Sequence, residues 1–255
     1  MVSFIQDRHT AISKFTEISH IFYIFIHIIH NRFFPGCFIE IYYKIMGCLN
    51  AKERIIYEEA KILGLESLLE YYKNSSVLID SIHRKYSTDG FINSQQWADI
   101  RQTLQIRILN SPSCSKIEDF FSLFLEDLKF PVKKMSILGI LLGHGHPRQK
   151  ARLLFEIFDV GCNEVLTISE VESIFEEIFD ISCKKLVKLV DINIEDYEKR
   201  LETGYLSKKN ELVQRVIKRD SGKIDLKNFV VHFETDIGKL LHPHGFRMFC
   251  ISKIE

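Results

Sequence analysis

Between Phe158 and Ile174 the chain reads F-D-V-G-C-N-E-V-L-T-I-S-E-V-E-S-I, and the twelve residues from Asp159 to Glu170 decide the fold. Side-chain oxygens fall at the first, fifth, ninth and twelfth places: Asp159, Asn163, Thr167 and Glu170. Val165 stands seventh and the apolar Leu166 eighth. Before the stretch, Leu153, Leu154, Ile157 and Phe158 form an apolar stripe at helical spacing. After it, Val171, Ile174, Phe175 and Ile178 repeat at helical intervals, with Glu172, Glu176 and Glu177 on the opposite side. The reading is a short oxygen-rich loop between two amphipathic helices.

That spacing is the one an EF-hand loop uses for calcium, with oxygen ligands at places 1, 3, 5, 7, 9 and 12. Asp159, Asn163, Val165 (through its carbonyl), Thr167 and Glu170 are therefore the candidate metal ligands. Gly161 at the third place offers no side chain, and Glu164 occupies the sharp turn where glycine is expected. Asp159 and Glu170 bring two formal charges, which sets calcium binding on the order of 10⁻⁴ M or weaker.

Three further stretches read as partners of this unit. Lys85–Gln96 carries Gly90 at the turn and Ile92 at the eighth place, and Ile217–Asn228 carries Gly222 and Ile224. Between Lys116 and Leu142, Val132 is expected at the eighth place and Met135–Leu142 as the following helix. Over Ser75–Phe233 the chain resembles the calcineurin B-like and neuronal calcium-sensor branch of the EF-hand superfamily, with Gly143–His146 similar to that family's linker into its third hand. The resemblance implies an all-α fold of four helix–loop–helix units in two pairs, joined by short loop-pairing β-strands. The expected divisions are 1–45 as an Ile/Phe-rich extension, 46–74 as a helical segment, and 75–142 and 143–235 as the two pairs. An insertion near 184–210 interrupts the second pair, and 236–255 forms a tail. Departures from the family are large. Lys85 and Gln96 stand at the ends of the first loop, Ile217, Arg219 and Asn228 weaken the fourth, and the second lacks acidic ends. Only the third hand is expected to take an ion, at most one calcium, weakly.

The family implies recognition of an amphipathic target helix in an apolar groove, the target being part of a kinase, a phosphatase or a transporter or channel tail. Trp97, Ile100 and Leu104 on one exit helix and Val171, Phe175 and Ile178 on another are the candidate groove lining. The tail, with Leu240, Leu241, Phe246 and Phe249, is a candidate occupant of that groove. The alternative is a calcium-independent EF-hand scaffold or adaptor.

Met46-Gly47-Cys48 looks like an N-terminal lipidation signal inside the sequence, with Gly47 for myristoylation and Cys48 for palmitoylation. It counts only if translation starts at Met46, because an internal glycine is not myristoylated. Residues 1–45 are consistent with an interfacial anchor, a packed helix or an upstream extension. The run Ile18–Ile29 is shorter than the ~20 residues a membrane span needs. His20, His27 and His30 share a helical face but have no carboxylate or cysteine at ligand spacing. A formal net charge of zero gives no electrostatic case for nucleic acid. Six cysteines without C-x-x-C spacing read as reduced thiols in a cytoplasmic chain, membrane-associated in the lipidated alternative. His144-Gly145-His146 and His242-Pro243-His244 sit in no catalytic motif, so no enzyme is expected.

Overall fold

The computed structural model describes residues 51–106, 113–190, 195–217, 222–235 and 237–252. Gly47, Cys48 and the 1–45 segment lie outside them. Among the described residues the chain is mostly helical, with two small two-stranded sheets. The elements run α1 (Ala51–Leu68), α2 (Ser76–Tyr86), β1 (Phe91–Ile92), α3 (Ser94–Thr103), α4 (Ser113–Ser122), β2 (Phe130–Pro131) and α5 (Val132–Leu142). They continue with α6 (Pro147–Phe158), β3 (Val165–Thr167), α7 (Ile168–Phe179), α8 (Glu195–Val216), β4 (Lys223–Asp225), α9 (Leu226–Thr235) and α10 (Pro243–Ile251). A wide π-type turn, Asp180–Lys185, extends α7.

Four helix–loop–helix units follow one another, α2–α3, α4–α5, α6–α7 and α8–α9. Their loops pair two by two. β1 runs antiparallel to β2 with Ile92 opposite Phe130, and β3 to β4 with Leu166 opposite Ile224. The two pairs repeat one another in detail. Val132 donates its backbone N–H to the Gly90 carbonyl at 2.9 Å, and Leu226 donates to the Glu164 carbonyl at 3.2 Å. Two places before each paired residue the backbone is left-handed, at Gly90 (φ 80°), Leu128 (φ 64°), Glu164 (φ 56°) and Gly222 (φ 60°).

One register differs from expectation. The residue facing Ile92 is Phe130, and Val132 begins the next helix. Phe130 and Val132 alternate with period two and share a face, so apolar pattern alone does not separate them. Pro131 does: its φ of −61° and missing N–H suit the start of a helix, and it sits at the cap of α5.

Each exit helix begins directly after its loop's ninth residue. Asn93 and Gln96 form a reciprocal capping box, as do Thr167 and Glu170, while Asp225 accepts from the Asn228 N–H at 2.8 Å. The linker after α5 is bound rather than free. His144 donates its N–H to the Asn74 carbonyl and accepts from the Ser76 N–H at 2.8 Å. His146 then caps α6 with Gln149.

α5 and α2 cross at Gly139 and Gly143, one helical turn apart. A Cβ on Gly139 would lie 2.3 Å from Ile79 Cγ2, and one on Gly143 would lie 2.7 Å from Ile79 Cδ1. Residues 55–255 form one compact unit around a single apolar core, so the two pairs are not separate bodies. The expected insertion is itself helical. α8 carries its second half and runs straight on as the entering helix of the fourth loop.

Candidate metal loop and buried polar cluster

The third loop is closed by hydrogen bonds from its own backbone to its side chains. Asp159 Oδ1 accepts from the Asn163 N–H at 3.1 Å and Oδ2 from the Glu164 N–H at 2.8 Å. Asn163 Oδ1 accepts from the Val165 N–H at 3.0 Å. Glu170 Oε2 accepts from both the Thr167 N–H and the Thr167 hydroxyl, each at 2.8 Å. Asp159, Asn163, Thr167 and Glu170 therefore stand on one exposed loop, all with oxygen donors of the hard kind that calcium takes. Their lone pairs are turned onto the loop's own N–H and O–H groups. Gly161 contributes no side chain, and among the described residues no group of three or more His, Cys, Asp or Glu converges on a point.

The other loops carry different chemistry. Lys134, at the end of the second, pairs with Glu126 at 2.6 Å, which holds the lysine above its usual pKa. Gln96, at the end of the first, bonds the Thr88 hydroxyl and the Asn93 N–H. In the fourth, Asn228 donates to Asp225 at 2.7 Å, and this bonding lowers the Asp225 carboxyl.

The six candidate groove residues are core rather than open surface. Trp97, Ile100, Leu104, Val171, Phe175 and Ile178 are all buried. Trp97 packs edge-on against Phe121, its ring centre 4.8 Å away, and against Phe130 at 5.3 Å; Phe175 stacks on Phe233. The reason is that each exit helix finds its cover within its own pair. Where α7 leaves its pair, the inserted helix α8 covers it: Phe179 stacks on Tyr205 at 4.2 Å, and Lys209 pairs with Glu176 at 2.6 Å.

The tail is docked as well. Leu240, Leu241, Phe246 and Cys250 are buried, and α10 packs against α8, the π turn and α7. At its centre lies Arg247, fully buried and invisible to motif reasoning. Its Nε and Nη2 donate to Glu59 at 2.6–3.0 Å, and its Nη1 donates to Glu66 at 2.7 Å and to the Ser182 carbonyl at 3.0 Å. Tyr197 Oη donates to Glu59 at 2.6 Å, and His244 Nδ1 lies 2.7 Å from the same carboxylate. One cluster thus ties α1, the π turn, α8 and α10.

Burial alone would raise the Glu59 carboxyl. Hydrogen bonds from His244, Arg247 and Tyr197 and the Arg247 charge outweigh it and hold Glu59 at about 2. At Glu66 burial wins over the Arg247 charge and the pKa rises. The His-Pro-His pair is divided between jobs. His244 meets Glu59, while His242 lies 3.4 Å from Lys150. Lys150 is itself fully buried and donates to the Leu141 and Leu241 carbonyls, and desolvation lowers it to about 7. Burial first, and the Lys150 charge second, push His242 down to about 4.

Sequence reasoning missed Arg247, Glu59 and Glu66 because their pairing spans 181–188 positions. The one available signal was an arginine inside the apolar run Phe246–Ile251. No family model, no curated protein and no solved structure matches the chain. No described helix is long and apolar enough to cross a membrane.

Proposed function

We propose that the chain is a four-unit EF-hand protein, largely degenerate for calcium, that acts by binding another protein and not by catalysis. The observation carrying this reading is the repetition. Four loops share a left-handed residue at the sixth place, and both pairs share the same ladder and the same backbone bond from the tenth residue to its neighbour's sixth. Glycine supports that conformation in two loops. Glu164 and Leu128 adopt it at a cost of roughly 1 kcal/mol each, as expected where a loop's geometry outlives its ligands.

Within this reading the third loop is the one place for calcium. Asp159, Asn163, the Val165 carbonyl, Thr167 and Glu170 would hold it, and calcium would supply charge neutralisation and rigidity there. Glu170 already caps α7, so an ion has to draw that carboxylate away from Thr167. That cost reinforces the expectation of weak binding, on the order of 10⁻⁴ M or weaker.

A calorimetric calcium titration of the full chain tests the reading, beside Glu170→Gln and a magnesium control. Glutamine keeps the cap and removes the charged bidentate ligand. One binding event lost in the variant supports a calcium-tuned adaptor. No heat up to millimolar calcium removes the ion and leaves the scaffold reading, which the Lys134–Glu126 pair and the non-acidic loop ends favour.

The target is an amphipathic helix, from the chemistry of the faces involved. Because Val171, Phe175 and Ile178 are covered, recognition requires a cover to move. α10 is the candidate to leave, because it packs on both α7 and the π turn that follows it. Tethering through Gly47 and Cys48 remains part of the adaptor alternative, with intact mass of the native protein as its test.

A further inference from the structure

Two thiols meet where the C-terminal helix docks. Cys183 sits in the π turn after α7 and Cys250 in the last turn of α10, and both are buried and reduced. The elements around them are fixed on three sides. Arg247, one turn before Cys250, donates to the carbonyl of Ser182, the neighbour of Cys183, at 3.0 Å. α8 presses on the Cys250 backbone at Gly204, where a Cβ would fall 1.9 Å from the Cys250 carbonyl oxygen. Lys208 donates to the Phe249 and Ser252 carbonyls at 2.6 Å, so the last turn is held down as well. Within that frame burial first, and the neighbouring Cys250 thiol second, push the Cys183 thiol up.

We propose that Cys183 and Cys250 are a redox pair, which a peroxide converts into a disulfide that fastens α10 onto the π turn. The inference rests on the docked tail and not on the calcium reading. Disulfide geometry requires two backbones brought close, and α10 packs directly on the π turn, with Arg247 bonded to the residue before Cys183. Sequence spacing alone gave no hint of it, since the two cysteines stand far apart and in no C-x-x-C motif.

The chemistry balances with hydrogen peroxide as the oxidant. Cys250, in the last turn of its helix, is the thiol that reacts first. Its sulfur, as thiolate, attacks one peroxide oxygen. The O–O bond breaks, a sulfenic acid forms on Cys250, and the thiol proton leaves with the released hydroxide as water. The Cys183 sulfur then attacks the Cys250 sulfur. The S–O bond breaks, the S–S bond forms, and the Cys183 proton completes the second water. Two thiols are oxidised and one peroxide is reduced to two waters.

The exposed Cys162 is the internal control, because it is open to oxidant but has no described thiol neighbour. The experiment treats the reduced full-length protein with graded hydrogen peroxide, traps remaining thiols by alkylation in denaturant, and maps peptides without reduction. The expected result is a Cys183–Cys250 linked peptide and a mass lower by two hydrogens, reversed by dithiothreitol. The oxidised protein should also melt at a higher temperature than the reduced one, since the bond closes a long loop in the unfolded chain. Cys183→Ser and Cys250→Ser should each abolish the linked peptide and the rise in melting temperature. If Cys162 is oxidised while Cys183 and Cys250 both remain alkylatable, or if the linked peptides join other cysteines, the proposal is overturned. The map of the unsubstituted protein decides this even if a variant fails to fold.

Discussion

Arg247 is the side chain on which the most structure depends. It reaches zero exposure only because Glu59, Glu66 and the Ser182 carbonyl meet its guanidinium. Substitution by methionine keeps much of the volume but leaves two carboxyl groups without their cation. Loss of one partner from such a buried set costs about 3–5 kcal/mol, so Arg247→Met should lower the unfolding free energy from denaturant melts by that amount. A loss below about 1 kcal/mol would show that the cluster is not holding α10.

Two residues set overlapping acid limits. His83 is buried between Tyr71 and Trp97, and desolvation lowers it from 6.5 to about 3, against a smaller upward pull from the Met135 backbone. Its folded pKa lies below its unfolded one, so between those values the unfolded chain holds the extra proton. Stability therefore falls as pH drops from 6.5 toward 3, by on the order of a few kcal/mol. Glu59 acts over a lower window, from 4.5 down to about 2, where the unfolded state again takes the proton first. Urea melts across pH 3–7 should show His83→Phe making the decline shallower throughout, with His242 still contributing above about pH 4 and Glu59 below 4.5. An unchanged profile would mean that His83 is not held neutral.

At the scale of elements, the crossing of α2 and α5 is the least forgiving contact. Gly139 lets the Ile79 side chain lie against the α5 backbone, and Gly143 continues that groove. Gly139→Ala gains about 1 kcal/mol of helix propensity but places a methyl inside van der Waals range of a buried side chain. Overpacking of this kind costs about 1–3 kcal/mol, so a net loss is expected in thermal denaturation. Ile79→Val in the same chain should recover part of it. The helical character of both segments was legible from their spacing, and so were the pairings of Leu166 with Ile224. The pairing of Phe130 was not, because Phe130 and Val132 present the same face and only Pro131, acting as a cap, chooses between them.

Over the whole molecule, the covers decide what the paired units are able to do. α8 lies across α7, and α10 closes over the π turn, so the apolar faces that a target helix would need are inside. Removing residues 236–255 takes away Leu240, Leu241, Phe246 and Arg247 together. The shortened protein should bind an apolar dye strongly and capture amphipathic helices that the full chain does not. Dye binding at the level of the full chain would sink the idea that the tail is the movable cover.

What the sequence determined by itself is local: a twelve-residue loop, two neighbours of the same length, amphipathic helices at their spacing, and a third loop with the oxygens of Asp159, Asn163, Thr167 and Glu170. Those features are set by periodicity and by contacts a few residues apart. The tertiary structure alone decided the rest. It buried Trp97, Ile100, Leu104, Val171, Phe175 and Ile178, turned the insertion into a helical cover, and brought Glu59 and Glu66 to Arg247 and α10 to the π turn. These meetings join residues far apart in the chain, and their energy comes from excluding water between surfaces that only the fold places together.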